Sequence, residues 1–348
     1  NNSIEITEIK AESDLKVQPF SLESSLEVKV DSNNTGNEGN KPYKRKPFIE
    51  ANTTEIDLSH LKQDCIIPIF SKDNEKTIAH QEFIEITQEC ISKVFPYHSL
   101  ETPEIRVSHQ IKGRTPDAIH KQVKDLLEHE KTIYYERMAF IIRIPSITED
   151  IQGNPLELTV GGVRAYNQEN LYNRKNFEKF KFFIGFQNLV CCNMCVSSDG
   201  FVSEMRVSSY QELQNKILEV IQNYQAENHL KQMKDFTQYS LTEHQFATLV
   251  GRARLYQHLP KKLKAEIPEL TFNDGHFNTI AKDYYSDKSF SREQGTGTIS
   301  LWSVYNLFTQ ANKSSYIDTF LERNLNAFEF NKGIVKAIND SKYHWFLS

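Results

Sequence analysis

Along this chain apolar positions recur at helical spacing, then alternate, then return to helical spacing, and that order predicts its elements. Cys65 to Phe70 is a short apolar run that reads as a strand. Ile78, Phe83, Ile86, Cys90, Ile91 and Val94 fall three and four residues apart, the stripe of an amphipathic helix, and Pro96 ends it. Ile105 to Val107 reads as a strand, Ile111 to Pro116 as a loop, and Ala118 to Glu130 as a short helix.

The period then drops to two. Thr132 to Pro145, rich in β-branched and aromatic residues, reads as one long strand. Leu156 to Tyr166 is interrupted by Gly161-Gly162, the expected site of a hairpin turn. Phe177 to Val196 is the longest strand-like stretch, and Asp199-Gly200 suits a type I′ turn, with Phe201 to Val207 returning. From Tyr210 the pattern is helical: Leu213, Ile217, Val220 and Tyr224 form one stripe. Ser240 and Glu243 have capping-box spacing and open a helix expected to run to Leu259, where Pro260 stops it. Further helices are expected over Phe272–Tyr285, Ile299–Asn312 and Tyr316–Asn339, the last loosened at Gly333. Strands first and helices later predict an α+β fold: an antiparallel sheet over residues 100–207, packed with N-terminal and C-terminal helices.

Composition adds a leader to this picture. Of 348 residues 39% are hydrophobic and 25% charged, enough for a sizeable core with a polar diluent. The diluent is residues 1–60, which hold 11 Asp and Glu against 7 Lys and Arg. Its Asp31 to Asn40 stretch has too little apolar surface to offset the entropy of ordering, so a disordered acidic leader is expected. Residues 61–348 are expected to fold as one region, mainly β with one helix to 207 and mainly α from 208. The basic run Lys41 to Pro47 reads as a solvated linker or an arm for an anionic partner. With the leader set aside the net charge is close to zero, so any nucleic-acid surface must be local. No secretory signal is seen, and no apolar run approaches the ~20 residues of a membrane span. Five cysteines, an odd number in a long chain, suit a reducing cytoplasm.

Candidate chemistry is sparse. Cys191-Cys192-Asn-Met-Cys195 holds one Cys-x-x-Cys pair where a zinc site usually needs two, so buried structural thiols are the expectation. The 11 His do not cluster, and no nucleophile elbow or phosphate loop with lysine is present. Gly295-Thr-Gly-Thr298 reads as a turn, with Thr298 or Ser300 capping the next helix. No cofactor or metal is expected.

The richest segment is Arg164 to Asn188. Alternation puts Phe180, Phe182, Ile184 and Phe186 on a core face, and Lys179, Lys181 and Gln187 on the other. The preceding loop supplies Arg164, Tyr166, Tyr172, Arg174 and Lys175; Lys112 and Arg114 would extend the patch if their loop swings over the sheet. Cations beside aromatics suit nucleic acid, phosphates meeting Lys and Arg while bases stack on rings. The plainer reading is a solvated sheet face with gatekeeper lysines. Arg252, Arg254, Lys261, Lys262 and Lys264 either extend the patch or complement helix dipoles.

These stretches carry a resemblance. Ile105-Arg-Val-Ser-His-Gln-Ile-Lys-Gly-Arg114, His129-Glu-Lys-Thr-Ile-Tyr-Tyr-Glu-Arg-Met138, Gly161-Gly-Val-Arg-Ala-Tyr-Asn167 and Phe186-Gln-Asn-Leu-Val-Cys-Cys-Asn193 resemble a family of uncharacterised proteins from conjugative elements and phages of gut bacteria. More distantly the layout is similar to the phage/plasmid-like protein family, including its Trp-x-x-Tyr-Asn helix at Trp302-Ser-Val-Tyr-Asn306. That family's His-Asp-Gly-Ser stretch is absent; Asn167-Gln-Glu-Asn170 stands nearby. The resemblance implies a mobile-element protein. Three expectations follow: an accessory protein binding DNA, single strands preferred; a module binding a host or element-encoded protein; and a nuclease-like enzyme whose carboxylates converge only on folding.

Overall fold

The computed structural model describes residues 45–66, 77–168 and 177–348. β1 (Thr54–Ile56) and α1 (Leu58–Gln63) come first, followed by α2 (His80–Val94), β2 (Glu104–Val107) and β3 (Gln110–Arg114). Three short 3-10 turns lead to β4 (Lys131–Tyr135), β5 (Arg137–Ile151) and β6 (Asn154–Ala165). Then come β7 (Glu178–Asn188), β8 (Asn193–Cys195) and β9 (Phe201–Val207). The remainder is helical but for two short strands: α3 (Tyr210–Asn223), α4 (Ala226–Phe236), β10 (Ser240–Leu241), α5 (Glu243–Tyr256), α6 (Lys261–Lys264), α7 (Asp274–Ser286), β11 (Ile299–Ser300), α8 (Leu301–Asn312) and α9 (Ile317–Asn339). The fold is α+β, as the pattern predicts.

The main sheet runs β1-β2-β5-β6-β7, antiparallel throughout, and β7 pairs β9 along its first half and β8 along its second. β3 and β4 form a separate hairpin. Helices cover both faces. On one, Phe83 of α2 packs edge-on against Phe140 and Phe180. On the other, Ile317, Phe320 and Leu321 of α9 close a cluster with Ile141, Val163 and Phe183. Burying both faces explains why the sheet strands read as long apolar runs with little polar alternation.

The boundaries expected from sequence shift in identifiable ways. Gly161 and Gly162 are not a turn: β6 runs straight through them. They are glycines because rings press on the strand from both sides. A Cβ at Gly162 would lie 2.5 Å from Phe83 Cζ, and one at Gly161 2.9 Å from Phe183 Cε1. The turn before β6 uses Gln152 and Gly153, at φ 52° and 75°. The long strand expected from Thr132 divides at Glu136 into β4 and β5, and Pro145 sits where the β5–β6 register shifts, a bulge that needs no proline N–H. Ile111–Pro116 is largely strand rather than loop, and Ala118–Glu130 holds 3-10 turns instead of a helix. The Phe177–Val196 run folds back on itself: Asn188 Oδ1 accepts from the Val190 amide at 3.0 Å, and Cys192 takes φ 58°. The Asp199-Gly200 turn is present, but neither residue has the positive φ of type I′. The helix-opening box is Thr242 with Gln245, two residues later than expected, because Ser240 and Leu241 pair with β11. α9 passes Gly333 unbroken.

The folded body also starts earlier than residue 61. Phe48 and Ile49 are buried in the α9 cluster, and Arg45 binds Glu101 through both guanidinium nitrogens at 3.0 and 3.2 Å. Residues 1–44, and with them most of the expected leader, lie outside the described residues, as do Ile67 to Phe70 of the first expected strand.

Candidate functional site

Of the cations singled out in the sequence, Arg164, Lys179 and Lys181 stand near one end of the main sheet. β4 runs into β5 there through Glu136, and the Tyr166 amide donates to the Glu136 carbonyl at 2.9 Å, so the connection after β6 leaves from the same end. Lys112 is exposed on β3. Arg114 is half-buried and gives its guanidinium to the Lys121 carbonyl. Arg164, expected to meet phosphate, is instead 1% exposed. It pairs with Glu178 and lies over the rings of Tyr166 and Phe180, 4.7 and 4.4 Å from their centroids. Strand alternation turns it to the α2 face, which is roofed. Glu178 also accepts the Ile78 amide at 3.1 Å, so the pair ties the start of α2 to the sheet.

Lys179 and Lys181 do share a face, and α9 covers it at Lys181. The Lys181 ammonium binds Glu322 and the Asp318 carbonyl, while Lys179 pairs with Glu204 at 3.1 Å. Arg206, opposite Lys179 on β9, shares the same Glu204. Tyr172, Arg174 and Lys175 lie outside the described residues.

A second basic surface forms where α5 ends. Residues 251–265 carry five cations and no carboxylate. α5 ends at Tyr256, three residues short of the expected Leu259, and Pro260 caps α6, where Lys261 and Lys262 are both exposed and, among the described residues, neither forms an ion pair. Arg254 pairs with Asp274 at 3.1 Å, and Lys264 lies over the Tyr256 ring at 5.1 Å. Arg252 sits 4.9 Å from the Trp345 ring centroid. Leu255 and Leu263 project between the cations at 62% and 47% exposure, and Tyr343, in the same terminal segment as Trp345, is 71% exposed. The cluster of lysines was legible in sequence. The aromatic side was not, since Trp345 reaches α5 only through the tertiary fold.

Two side-chain trios resemble catalytic relays, and hydrogen-bond polarity separates them. The Asn273 amide donates to His276 Nδ1 at 3.1 Å, so Nε2 carries the proton and donates to Ser315 Oγ at 3.0 Å. Ser315 in turn donates to Asn312 at 2.6 Å. That imidazole cannot take the serine proton. Burial holds it down at about 4, as a structural neutral histidine. In the second trio Asp64 accepts from His60 Nδ1 at 2.7 Å, leaving Nε2 to accept the Tyr135 hydroxyl at 3.0 Å. This polarity suits a base. Burial, then Cys65 and Asp64, raise the Tyr135 phenol, which keeps it protonated. The trio ties α1 to β4, and His80 holds the same strand by bonding the Tyr135 carbonyl at 2.9 Å.

Cys90, Cys191, Cys192 and Cys195 are buried, and burial pushes the Cys90 and Cys191 thiols up to about 12. Among the described residues no group of three or more His, Cys, Asp or Glu is placed to hold a metal, and no helix is long and apolar enough to cross a membrane.

A family model described as "Domain of unknown function, B. Theta Gene description (DUF3871)" matches residues 29–347. No curated protein and no solved structure matches the chain.

Proposed function

The chain belongs to this DUF3871 family, a domain of unknown function, and we propose that it is a nucleic-acid-binding accessory protein of a mobile element. The observation that carries the binding reading is the carboxylate-free stretch 251–265, with Lys261 and Lys262 exposed beside Leu255 and Leu263. Lysines without acid partners attract a phosphate backbone and release its counterions. Half-buried Trp345 lies against Arg252, and exposed Tyr343 stands two residues before it in sequence; rings of this kind are stacking surface, which favours single strands over duplex. The mobile-element setting rests on the resemblance in the quoted motifs. A reducing cytoplasm is the proposed compartment, with five free thiols in its favour.

The test is fluorescence anisotropy of labelled single- and double-stranded DNA across a salt series. Reversing Lys261, Lys262 and Lys264 to Glu is expected to remove most binding. It should also flatten the plot of log K against log salt by about 2–3 units, near 0.7–0.9 per lost phosphate contact. Lys179→Glu with Lys181→Glu is the control, since both already face carboxylates. Binding that survives the first triple reversal and fails in the control would return the site to the sheet end. No binding by the unmodified protein at low salt ends the proposal.

A further inference from the structure

After α9 the chain turns at Ser341, φ 50°, and lays residues 343–348 against α5 and α9. Among the described residues no backbone hydrogen bond joins this segment to the rest of the molecule; the Leu347 amide donates to the His344 carbonyl at 2.9 Å, within the segment itself. Rings hold it instead. Phe346 is fully buried, its centroid 5.0 Å from that of Phe330 and 5.5 Å from that of Tyr256. Trp345 meets the Tyr256 ring edge-on at 6.3 Å. The one polar tie to the body among the described residues is Arg252, whose guanidinium lies over the Trp345 ring and donates to the Ser348 carbonyl. A segment packed by side chains, without a backbone ladder, opens without unfolding the body.

Between the rings sits His344, 7% exposed, its centroid 6.0 Å from those of Phe330 and Phe346. Among the described residues neither of its ring nitrogens has a hydrogen-bond partner. Burial alone holds its pKa below the usual histidine value. The charged groups on the elements around it are engaged elsewhere: Glu329 with Lys332 and Asp340 with Lys342 at α9, Arg254 with Asp274 and Arg252 with the Ser348 carbonyl on α5, and Lys264 over the Tyr256 ring. A proton on this imidazole would be a buried charge with no partner, so the segment has to leave its seat for the proton to bind. We propose that residues 343–348 form a pH-sensitive clasp on the basic surface, closed while the His344 imidazole is neutral and opened by its protonation. The released imidazole titrates near 6.5. The closed form is therefore fully favoured above that pH and weakens as pH falls, by about tenfold from pH 7.5 to 5.5. Opening carries Tyr343 and Trp345 away from Arg252 and leaves Lys261 and Lys262 in place. This regulation rests on the nucleic-acid reading, and it makes the preference for single strands a property of neutral pH.

Hydrogen exchange of the full chain, followed by mass spectrometry at pH 7.5 and 5.5 and corrected for the intrinsic rate, reads the open fraction of residues 343–348 without DNA. A rise of about tenfold is expected in the parent and none in His344→Leu, which fills the same seat with no group to charge. If that variant is already open at pH 7.5, His344→Gln replaces it. Exchange in β6 reports global unfolding and should stay slow. No rise in the parent, an equal rise in the neutral variant, or a rise matched in β6 overturns the clasp. Anisotropy with an oligothymidylate, whose base does not titrate in this range, against a duplex tests the consequence. The single-strand preference should fall at pH 5.5 by up to about tenfold, the worth of about one stacked base, and should hold in His344→Leu. A preference that is unchanged while the segment opens overturns the coupling. A protein that binds no DNA at either pH ends the nucleic-acid reading, while the exchange measurement still decides the clasp.

Discussion

Replacing Gly162 by Ala probes how α2 seals the sheet. A Cβ there would lie 2.5 Å from Phe83 Cζ, 2.8 Å from Phe83 Cε1 and 2.7 Å from the Lys181 carbonyl. Carbon atoms in contact settle at about 3.5–4.0 Å, so the Phe83 ring must withdraw by roughly 1 Å. It has little room to do so. Phe140 and Phe180 stand against it with centroids at 5.1 and 4.7 Å, and Phe83 itself is fully buried. Overpacking of this kind costs about 1–3 kcal/mol, and a fixed backbone oxygen on the other side puts Gly162→Ala in the upper half of that range. Phe83→Ala alone should cost about 3–5 kcal/mol through lost burial and a cavity. In that background the new methyl meets space instead of a ring, so Gly162→Ala should become cheaper by about 1–2 kcal/mol, a favourable coupling between neighbours. Urea unfolding of the four proteins, followed by circular dichroism and by fluorescence, gives the cycle directly. If Gly162→Ala lies within about 0.5 kcal/mol of the parent, or costs the same with and without Phe83, the packing argument is wrong.

Three further outcomes are expected. Burial, with Arg164 beside it, holds His80 down at about 3, and burial holds His229 there too, while the unfolded chain takes up protons below about 6.5. Their stabilisation is therefore full above that pH and lost as pH falls, by about 2–3 kcal/mol together between pH 6 and 5; unfolding curves that show no drop there, or that His229→Gln does not flatten, contradict this. Ellman's reagent at pH 8 should find at most one fast thiol in the folded protein, half-exposed Cys65, and all five in denaturant, since Cys90, Cys191, Cys192 and Cys195 are buried; rapid reaction of two or more would refute the buried reading. Arg164→Met should cost about 3–5 kcal/mol by stranding the Glu178 carboxylate, and should leave DNA affinity per folded molecule unchanged; weaker binding at full stability would mean that Arg164 meets the ligand.

The sequence by itself settled which stretches are helix or strand wherever one face meets the core and the other meets water. α2, α3 and α7 follow from their apolar spacing because each packs one side only, while α8 is buried nearly all round and is marked instead by a local rule, Ser300 capping it by accepting the Ser303 amide. Family membership likewise follows from sequence, since the matching model spans residues 29–347. The three-dimensional structure decided the rest, for one physical reason: alternation says which residues share a face and nothing about what covers it. Gly161-Gly162 looks like a turn until Phe83 and Phe183 are seen pressing on it from either side. Lys179 and Lys181 look like a solvated cationic row until α9, more than a hundred residues later, brings Glu322 to one of them. Arg164 looks like a phosphate ligand until its strand register turns it beneath α2 toward Glu178. Lys261 and Lys262 read alike before and after folding, because nothing distant comes to pair with them among the described residues.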